Sequence, residues 1–321
     1  MTIIAGIDEA GYGPVVGPLI TAATAFEVEE SLVDANLWRV LSPTVTRRPT
    51  TSGSRRVAVD DSKKLYAAGR GLDRLETGVL AFLAACGHRP PNTAGLVDML
   101  SPGALTRTAA LPWYATLDSP LPGATPGEVL EACVTALAGR LSRTGVRPVT
   151  LAVEPLLAPE LNHLIDRGLT KADAAMTRVA ALVARLRDAA NGRPMVVHLD
   201  RQGGRTHYLE PLRSMFRDAW IWVLEETPRR SAYRIEDDRG TLEVQVSVGG
   251  DRSQLPVALA SMSAKLVREL MMAHLNRYWC ARVPGLAPTA GYPTDGRRFL
   301  EAVTPVLAAD GLAADLLVRR R

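Results

Sequence analysis

The apolar run Ile3-Ile4-Ala5-Gly6-Ile7 ends in two adjacent carboxylates, Asp8 and Glu9, and passes directly into Ala10-Gly11-Tyr12-Gly13-Pro14. A second apolar run, Pro18 to Phe26, follows at once. Both runs are short and bounded by glycine and proline, so they read as two strands joined by a turn. That pairing demands a sheet, and it places the acids on rigid backbone at a sheet edge. Neighbouring strand residues point to opposite faces, so Asp8 can serve a metal on one side while Glu9 serves another position. The glycines let backbone approach a ligand closely. Taken alone, an acid pair before Gly-x-Gly is more often a solvated turn than a phosphate cradle, so other segments must decide.

Composition narrows the class. With 321 residues, 47% hydrophobic and 22% charged, the chain suits a soluble globular protein with one large or two small cores. No segment approaches a charge-free apolar span of bilayer length, which argues against a membrane partner. The first twenty residues carry Asp8 and Glu9 and lack a basic leader, unlike a signal peptide, so cytoplasm is the expected compartment. Cys86, Cys133 and Cys280 form no zinc or disulfide spacing and read as buried structural thiols. A net charge of +4 permits nucleic-acid binding without demanding it. Of the 38 basic residues only Lys63, Lys64, Lys171 and Lys265 are lysines. In a chain so biased toward arginine, these mark places that need a compact ammonium.

Three further segments carry chemistry. Val59-Asp60-Asp61-Ser62-Lys63-Lys64-Leu65 precedes a helical stretch near Leu72 to Cys86. Asp-Ser there is a capping signal, but two lysines at a helix start oppose the helix dipole and suit a phosphate site instead. Pro194 to Asp200 reads as a buried strand ending in an aspartate before Gly203-Gly204, the place where open sheets bind ligands. Asp200 also reads as a turn cap, and His198 as a packed strand residue. The helical stretch Leu169 to Leu186 feeds this strand. In the helix Val257 to Met271, Ser261, Lys265 and Glu269 share one face at i, i+4 and i+8 beside the apolar Met262, Leu266 and Leu270. Its small Ala-Ser-Met-Ser-Ala start suits close packing on a sheet.

Together these segments resemble type 2 ribonuclease H (ribonuclease HII). The resemblance is carried, in order, by Gly-Ile-Asp-Glu-Ala-Gly-x-Gly-Pro, Asp-Ser-Lys-Lys-Leu, a strand-end aspartate, Ala-Ser-x-x-Ala-Lys-x-x-Arg-acid and Gly291-Tyr292-Pro293-Thr294. It implies a ribonuclease H-like α/β fold with a mixed central sheet flanked by helices. It further implies two divalent cations, Mg²⁺ or Mn²⁺, held by Asp8, Glu9, Asp200 and Glu269. The implied reaction is hydrolysis of the RNA strand of RNA/DNA hybrids, or of DNA containing ribonucleotides, leaving 5′-phosphate and 3′-hydroxyl ends. Gly11, Tyr12, Gly13, Ser62, Lys63, Lys64, Ser263, Lys265 and Tyr292 would contact substrate, with Tyr292 stacking on a sugar.

The chain departs from that pattern in three respects. Tyr12 stands where arginine or lysine is usual, removing a charge and offering a ring that could stack on sugar or base. Glu269 stands where aspartate is usual, moving a carboxylate by roughly 1.5 Å and making Mn²⁺ a rival to Mg²⁺. About a hundred extra residues fall near 87–146 and 205–251, read as elaborations of one domain spanning 1–321 and as a substrate-clamping lid. Within them Trp220-Ile221-Trp222 reads as core, and Tyr233 to Val248 as a hairpin. Arg297, Arg298 and Arg319 to Arg321 could touch phosphate. A monomer is expected. Two other readings stay open: a non-catalytic hybrid-binding module, and a metal-dependent nuclease of the same fold with a different nucleic-acid substrate.

Overall fold

The computed structural model describes residues 1–48, 54–66, 71–202 and 205–320; the Gly203-Gly204 pair and Arg321 lie outside them. The strands are β1 (Thr2–Ala10), β2 (Leu19–Val28), β3 (Val45–Thr46), β4 (Val57–Ala58), β5 (Arg147–Leu156), β6 (Met195–Asp200), β7 (Trp220–Glu226), β8 (Arg230–Asp237) and β9 (Gly240–Ser247). Seven form one mixed sheet in the order β5-β2-β1-β6-β9-β8-β7, and β3 pairs separately with β4. β1 runs antiparallel to β2 but parallel to β6, and β6 runs parallel to β9. The mixed sheet flanked by helices is therefore the architecture that the motifs implied. One correction follows for the acids: β1 is an interior strand, so Asp8 and Glu9 sit near a strand end in mid-sheet, not at its edge.

The helices are α1 (Leu37–Val40), α2 (Ser62–Leu65), α3 (Asp73–Ala85), α4 (Thr93–Leu100), α5 (Ala104–Ala109), α6 (Gly127–Thr144), α7 (Ala158–Asp166), α8 (Lys171–Ala190), α9 (Leu209–Met215), α10 (Gly250–Ser253), α11 (Leu255–Cys280) and α12 (Pro293–Ala309). Strand alternation sorts them into layers. Ile4 and Ala22 face α11 and α3, whereas Ile3, Ala5 and Ile7 face Val179, Leu182 and Leu186 of α8. Gly6 decides how close α11 comes. A Cβ on Gly6 would overlap the backbone of Pro256 and Val257, so only glycine lets the helix start rest directly on the strand. Thr24 Oγ1 donates to the Pro256 carbonyl at 2.7 Å and fixes the same contact from β2.

The two extra stretches do different things. Residues 87–146 contribute α4 to α6 and the 3-10 turn Pro112–Tyr114 between α5 and α6; Leu96, Val97, Trp113 and Leu137 from this stretch are buried in the main core, so it is packed structure rather than a lid. Residues 205–251 extend the sheet, and the expected hairpin forms with β8 antiparallel to β9. The reading of Trp220 and Trp222 as core is overturned: they are 76% and 44% exposed, because β7 is the outermost strand and one of its faces has no covering helix. Of the three cysteines only Cys133 is fully buried; Cys86 and Cys280 are partly accessible, and all three are free.

Candidate active site

β1 and β6 deliver three of the predicted acids to one end of the sheet. Asp8 is 7% exposed, accepts from the Glu9 amide at 2.7 Å and shares a hydrogen bond with Ser261 of α11. Ser261 Oγ in turn lies 3.0 Å from Ser62 Oγ at the start of α2. Gly6 makes this connection possible, since the close approach of α11 sets Ser261, one turn along, against the strand end. Glu9, on the opposite face, accepts from Gln202 Nε2 at 2.9 Å. Asp200 accepts from the Gly250 amide at 2.8 Å.

Electrostatics ties these groups together. Burial, followed by the charges of Glu9 and Asp200, holds the Asp8 carboxyl well above the usual carboxylate range. Burial pushes Glu9 up to about 7, with Asp200 adding to the rise and Gln202 and Lys63 opposing it. Asp200 is raised by burial against three backbone hydrogen bonds. A further acid joins them: Asp251 of α10 is raised by burial, then by Asp61 and Asp200, and Arg252 and Lys63 offset part of this. Carboxylates crowded this closely resist ionising together, which is the condition a cation relieves.

The structure does not bring Glu269 to this cluster. Its carboxylate accepts from Lys265 Nζ at 2.6 Å, Arg268 Nη1 at 3.2 Å and the Tyr66 hydroxyl at 3.1 Å. Burial and this carboxylate push the Tyr66 phenol up to about 12. The shared i, i+4, i+8 face is correct as periodicity, yet Ser261 in the second turn of α11 meets Asp8, while Glu269, two turns further on, meets Tyr66 just past α2. Asp251, which the sequence reading passed over, occupies the place expected of Glu269. The available signal was Gly249-Gly250-Asp251 directly ahead of the helix, a small-residue turn presenting an acid. Gln202, which orients Glu9, carries no signal in the sequence, whereas Ser261, which orients Asp8, lies on the helix face read there beside Lys265 and Glu269.

The predicted substrate contacts separate into two groups. Lys63 is exposed and within electrostatic reach of Glu9, Asp200 and Asp251, and Tyr292 is 51% exposed with Gly13 beneath its ring. Lys64 is half exposed and pairs with Asp60 at 3.2 Å. The others are committed elsewhere. Ser62 is buried on Ser261, Ser263 is buried and donates to the Leu259 carbonyl at 2.8 Å, and Lys265 lies 4.5 Å over the Tyr66 ring while pairing with Glu269. Tyr12 is half-buried against the cluster of Leu19, Leu156, Leu161 and Ala174, with Lys171 Nζ 4.9 Å over its ring. His198 is a packed strand residue as expected, and burial lowers it to about 4. Arg319 is buried rather than free for phosphate, and Arg298 pairs with Asp295 at 2.8 Å.

Asp8, Glu9, Asp200 and Asp251 supply only oxygen donors, the chemistry that hard divalent cations take. Among the described residues no three His, Cys, Asp or Glu side chains are grouped so that they could hold a metal ion as they stand. Each of Asp8, Glu9 and Asp200 instead holds an oxygen in a hydrogen bond to the protein. The donor set fits a divalent cation, and ligation would exchange those hydrogen bonds for the ion.

The site thus belongs to the class of carboxylate clusters at the C-terminal ends of parallel strands. No family model matches the chain. A curated relative, ribonuclease HII of Lactobacillus acidophilus, is 44% identical over 41 residues, 13% of this chain and 16% of that protein. The match is local, covering far less than two thirds of that protein, and it points the same way as the motif resemblance. Among solved structures, ribonuclease HII of Archaeoglobus fulgidus in its complex with PCNA is 17% identical with a TM-score of 0.44, over 99% of this chain and 94% of that one. Ribonuclease H2 of Pyrococcus horikoshii OT3 is 15% identical with a TM-score of 0.41, over 98% and 92%. The fold rests on the strand order above rather than on superpositions this loose.

Proposed function

We propose that the chain is a divalent-metal-dependent endonuclease of the ribonuclease H2 type, hydrolysing the RNA strand of RNA/DNA hybrids and leaving 5′-phosphate and 3′-hydroxyl ends. The observation that carries this reading is the gathering of acids at one end of the sheet: Asp8 and Glu9 near the end of β1, Asp200 at the end of β6, and Asp251 next to the Gly250 amide that Asp200 accepts from, with the exposed Lys63 nearby. Two bound cations, Mg²⁺ or Mn²⁺, would supply an activated water and charge for the leaving oxygen. The chain's own groups do the rest. Ser261 and Gln202 orient Asp8 and Glu9, Lys63 attracts the phosphate backbone, and Tyr292 offers its exposed ring to a sugar. Glu269 is left out of the ligand set, so its extra methylene carries no argument for Mn²⁺ over Mg²⁺. With Tyr12 half-buried against its own cluster, the glycine loop would meet substrate chiefly through backbone, and single embedded ribonucleotides are within the proposed substrate range.

The test is cleavage of two duplexes, one with a continuous RNA strand and one with a single ribonucleotide, in Mg²⁺ and in Mn²⁺, beside an Asp8→Asn control. Metal-dependent nicking on the RNA strand, absent from the control, is the expected result. Tight binding without cleavage of either duplex would sink the enzyme reading in favour of a hybrid-binding module.

A further inference from the structure

The glycine loop between β1 and β2 is held from inside by the far end of the chain. Arg319, 2% exposed, donates from Nη2 to the carbonyls of Gly11, at 2.7 Å, and Pro14. Its own amide donates to the Val15 carbonyl at 2.8 Å, and Val318 forms an antiparallel bridge with Val16. From the other side, the Gly291 carbonyl accepts from the amides of Val15, at 2.8 Å, and Val16, at 3.3 Å. The Arg268 side chain fills the space that a Cβ on Gly11 would need, and Gly11 sits at φ +90°, so glycine is required there twice over. The carbonyls at 11, 14 and 15 are therefore turned inward. Past the last ladder pair, Ala10 with Ile20, the amides of Gly11, Tyr12 and Gly13 donate to no described residue. They lie beside Tyr292, whose ring is 3.7 Å from where a Cβ on Gly13 would stand.

The loop therefore carries three amides with no described partner, and a buried cation lies behind it. Among the described residues Arg319 has no carboxylate partner, and its Nε and Nη1 are buried without hydrogen bonds. Arg268, also 2% exposed, shares Glu269 with Lys265. A buried guanidinium bonded only to carbonyls carries a desolvation cost that no opposite charge offsets. Successive free amides in a tight glycine turn bind anions, and a positive charge behind them strengthens that preference.

We propose that Arg319 is a positioning residue: it fixes the glycine loop with its amides outward and supplies, from inside the fold, the positive charge that Tyr12 does not supply from outside. The ligand is a phosphodiester oxygen of the substrate strand, seated at the amides of Gly11 to Gly13 next to Tyr292. This rests on the nuclease reading above, and it adds a residue from the far end of the chain.

The test compares Arg319→Met and Arg319→Lys with the double variant Tyr12→Arg/Arg319→Met, after thermal melts have established which are folded. Arg319→Met should raise KM for the hybrid by about ten- to a hundred-fold, the size expected for losing charged hydrogen bonds, with kcat within about three-fold. Tyr12→Arg in that background should recover about ten-fold in KM, a rescue that a merely structural role for Arg319 would not give. An unchanged KM in folded Arg319→Met, or no recovery in the double variant, overturns the proposal. If Arg319→Met does not fold, Arg319→Lys keeps the charge but cannot bridge two carbonyls, and a wild-type KM in that variant has the same consequence. If wild-type protein cleaves nothing, the nuclease reading fails by itself, and metal-free dissociation constants for the hybrid carry the same comparisons.

Discussion

Asp251 and Glu269 flank and occupy the same helix, α11, and their surroundings could hardly differ more. Asp251 meets Asp61 and Asp200, which add to burial in raising its carboxyl. Glu269 meets Lys265, Arg268 and the Tyr66 hydroxyl, which satisfy its charge. The first acid is short of counter-charge and the second is saturated with it. A carboxylate becomes a cation ligand by what it lacks, and spacing along a helix does not report that.

Four experiments can break or sharpen this contrast. The largest effect should come from Asp251→Asn, expected to lower hybrid cleavage by more than the roughly 10- to 100-fold typical of losing a partner one step removed from a metal. Steady-state kinetics in Mg²⁺ measures it, and near-normal activity would remove Asp251 from the site. Glu269→Gln should behave in the opposite way. It strips the buried Arg268 of its carboxylate and should cost about 3 kcal/mol in denaturant unfolding, while folded protein cleaves within about ten-fold of wild type. A collapse in kcat without loss of stability would reverse the two roles.

The third experiment uses pH. A carboxyl raised in the folded state contributes stability that is present below its unfolded pKa and lost as pH rises through the folded value. With Glu9 at about 7 and Asp8, Asp200 and Asp251 also raised, metal-free protein should melt at progressively lower temperature from about pH 4.5 to above 7. Added Mg²⁺ should restore more of the melting temperature at pH 8 than at pH 6, because ligation requires the ionised forms. Equal shifts at both pH values would count against a cation at these acids. The smallest effect is expected at the hairpin: Trp222→Thr should change stability by no more than about 0.5 kcal/mol, since its ring is largely in solvent. A loss of several kcal/mol on unfolding would restore the core reading.

Much of this was legible from local pattern. The strand pair around Gly11 to Gly13, the strand ending at Asp200 and the long helix after Leu255 follow from periodicity and punctuation, signals that act over a few residues. Misreadings arose wherever a neighbour distant in sequence decides the outcome. Trp220 and Trp222 read as core because they are large and apolar, but the strand order leaves β7 outermost. Lys265 and Ser263 fit the motif, yet Tyr66 and the helix's own backbone claim them.

By itself the sequence determined that a sheet carries Asp8, Glu9 and Asp200, that glycines shape the turn beyond them, and that lysine is reserved for a few positions. Only tertiary structure decided which fourth acid joins them and what holds the turn. Both depend on charge and desolvation summed over groups from distant parts of the chain: Asp251 gathered beside Asp61 and Asp200, Glu269 neutralised by Lys265 and Arg268, and Arg319 brought to the carbonyls of Gly11 and Pro14. Those sums have no counterpart in the spacing of residues along a strand or helix.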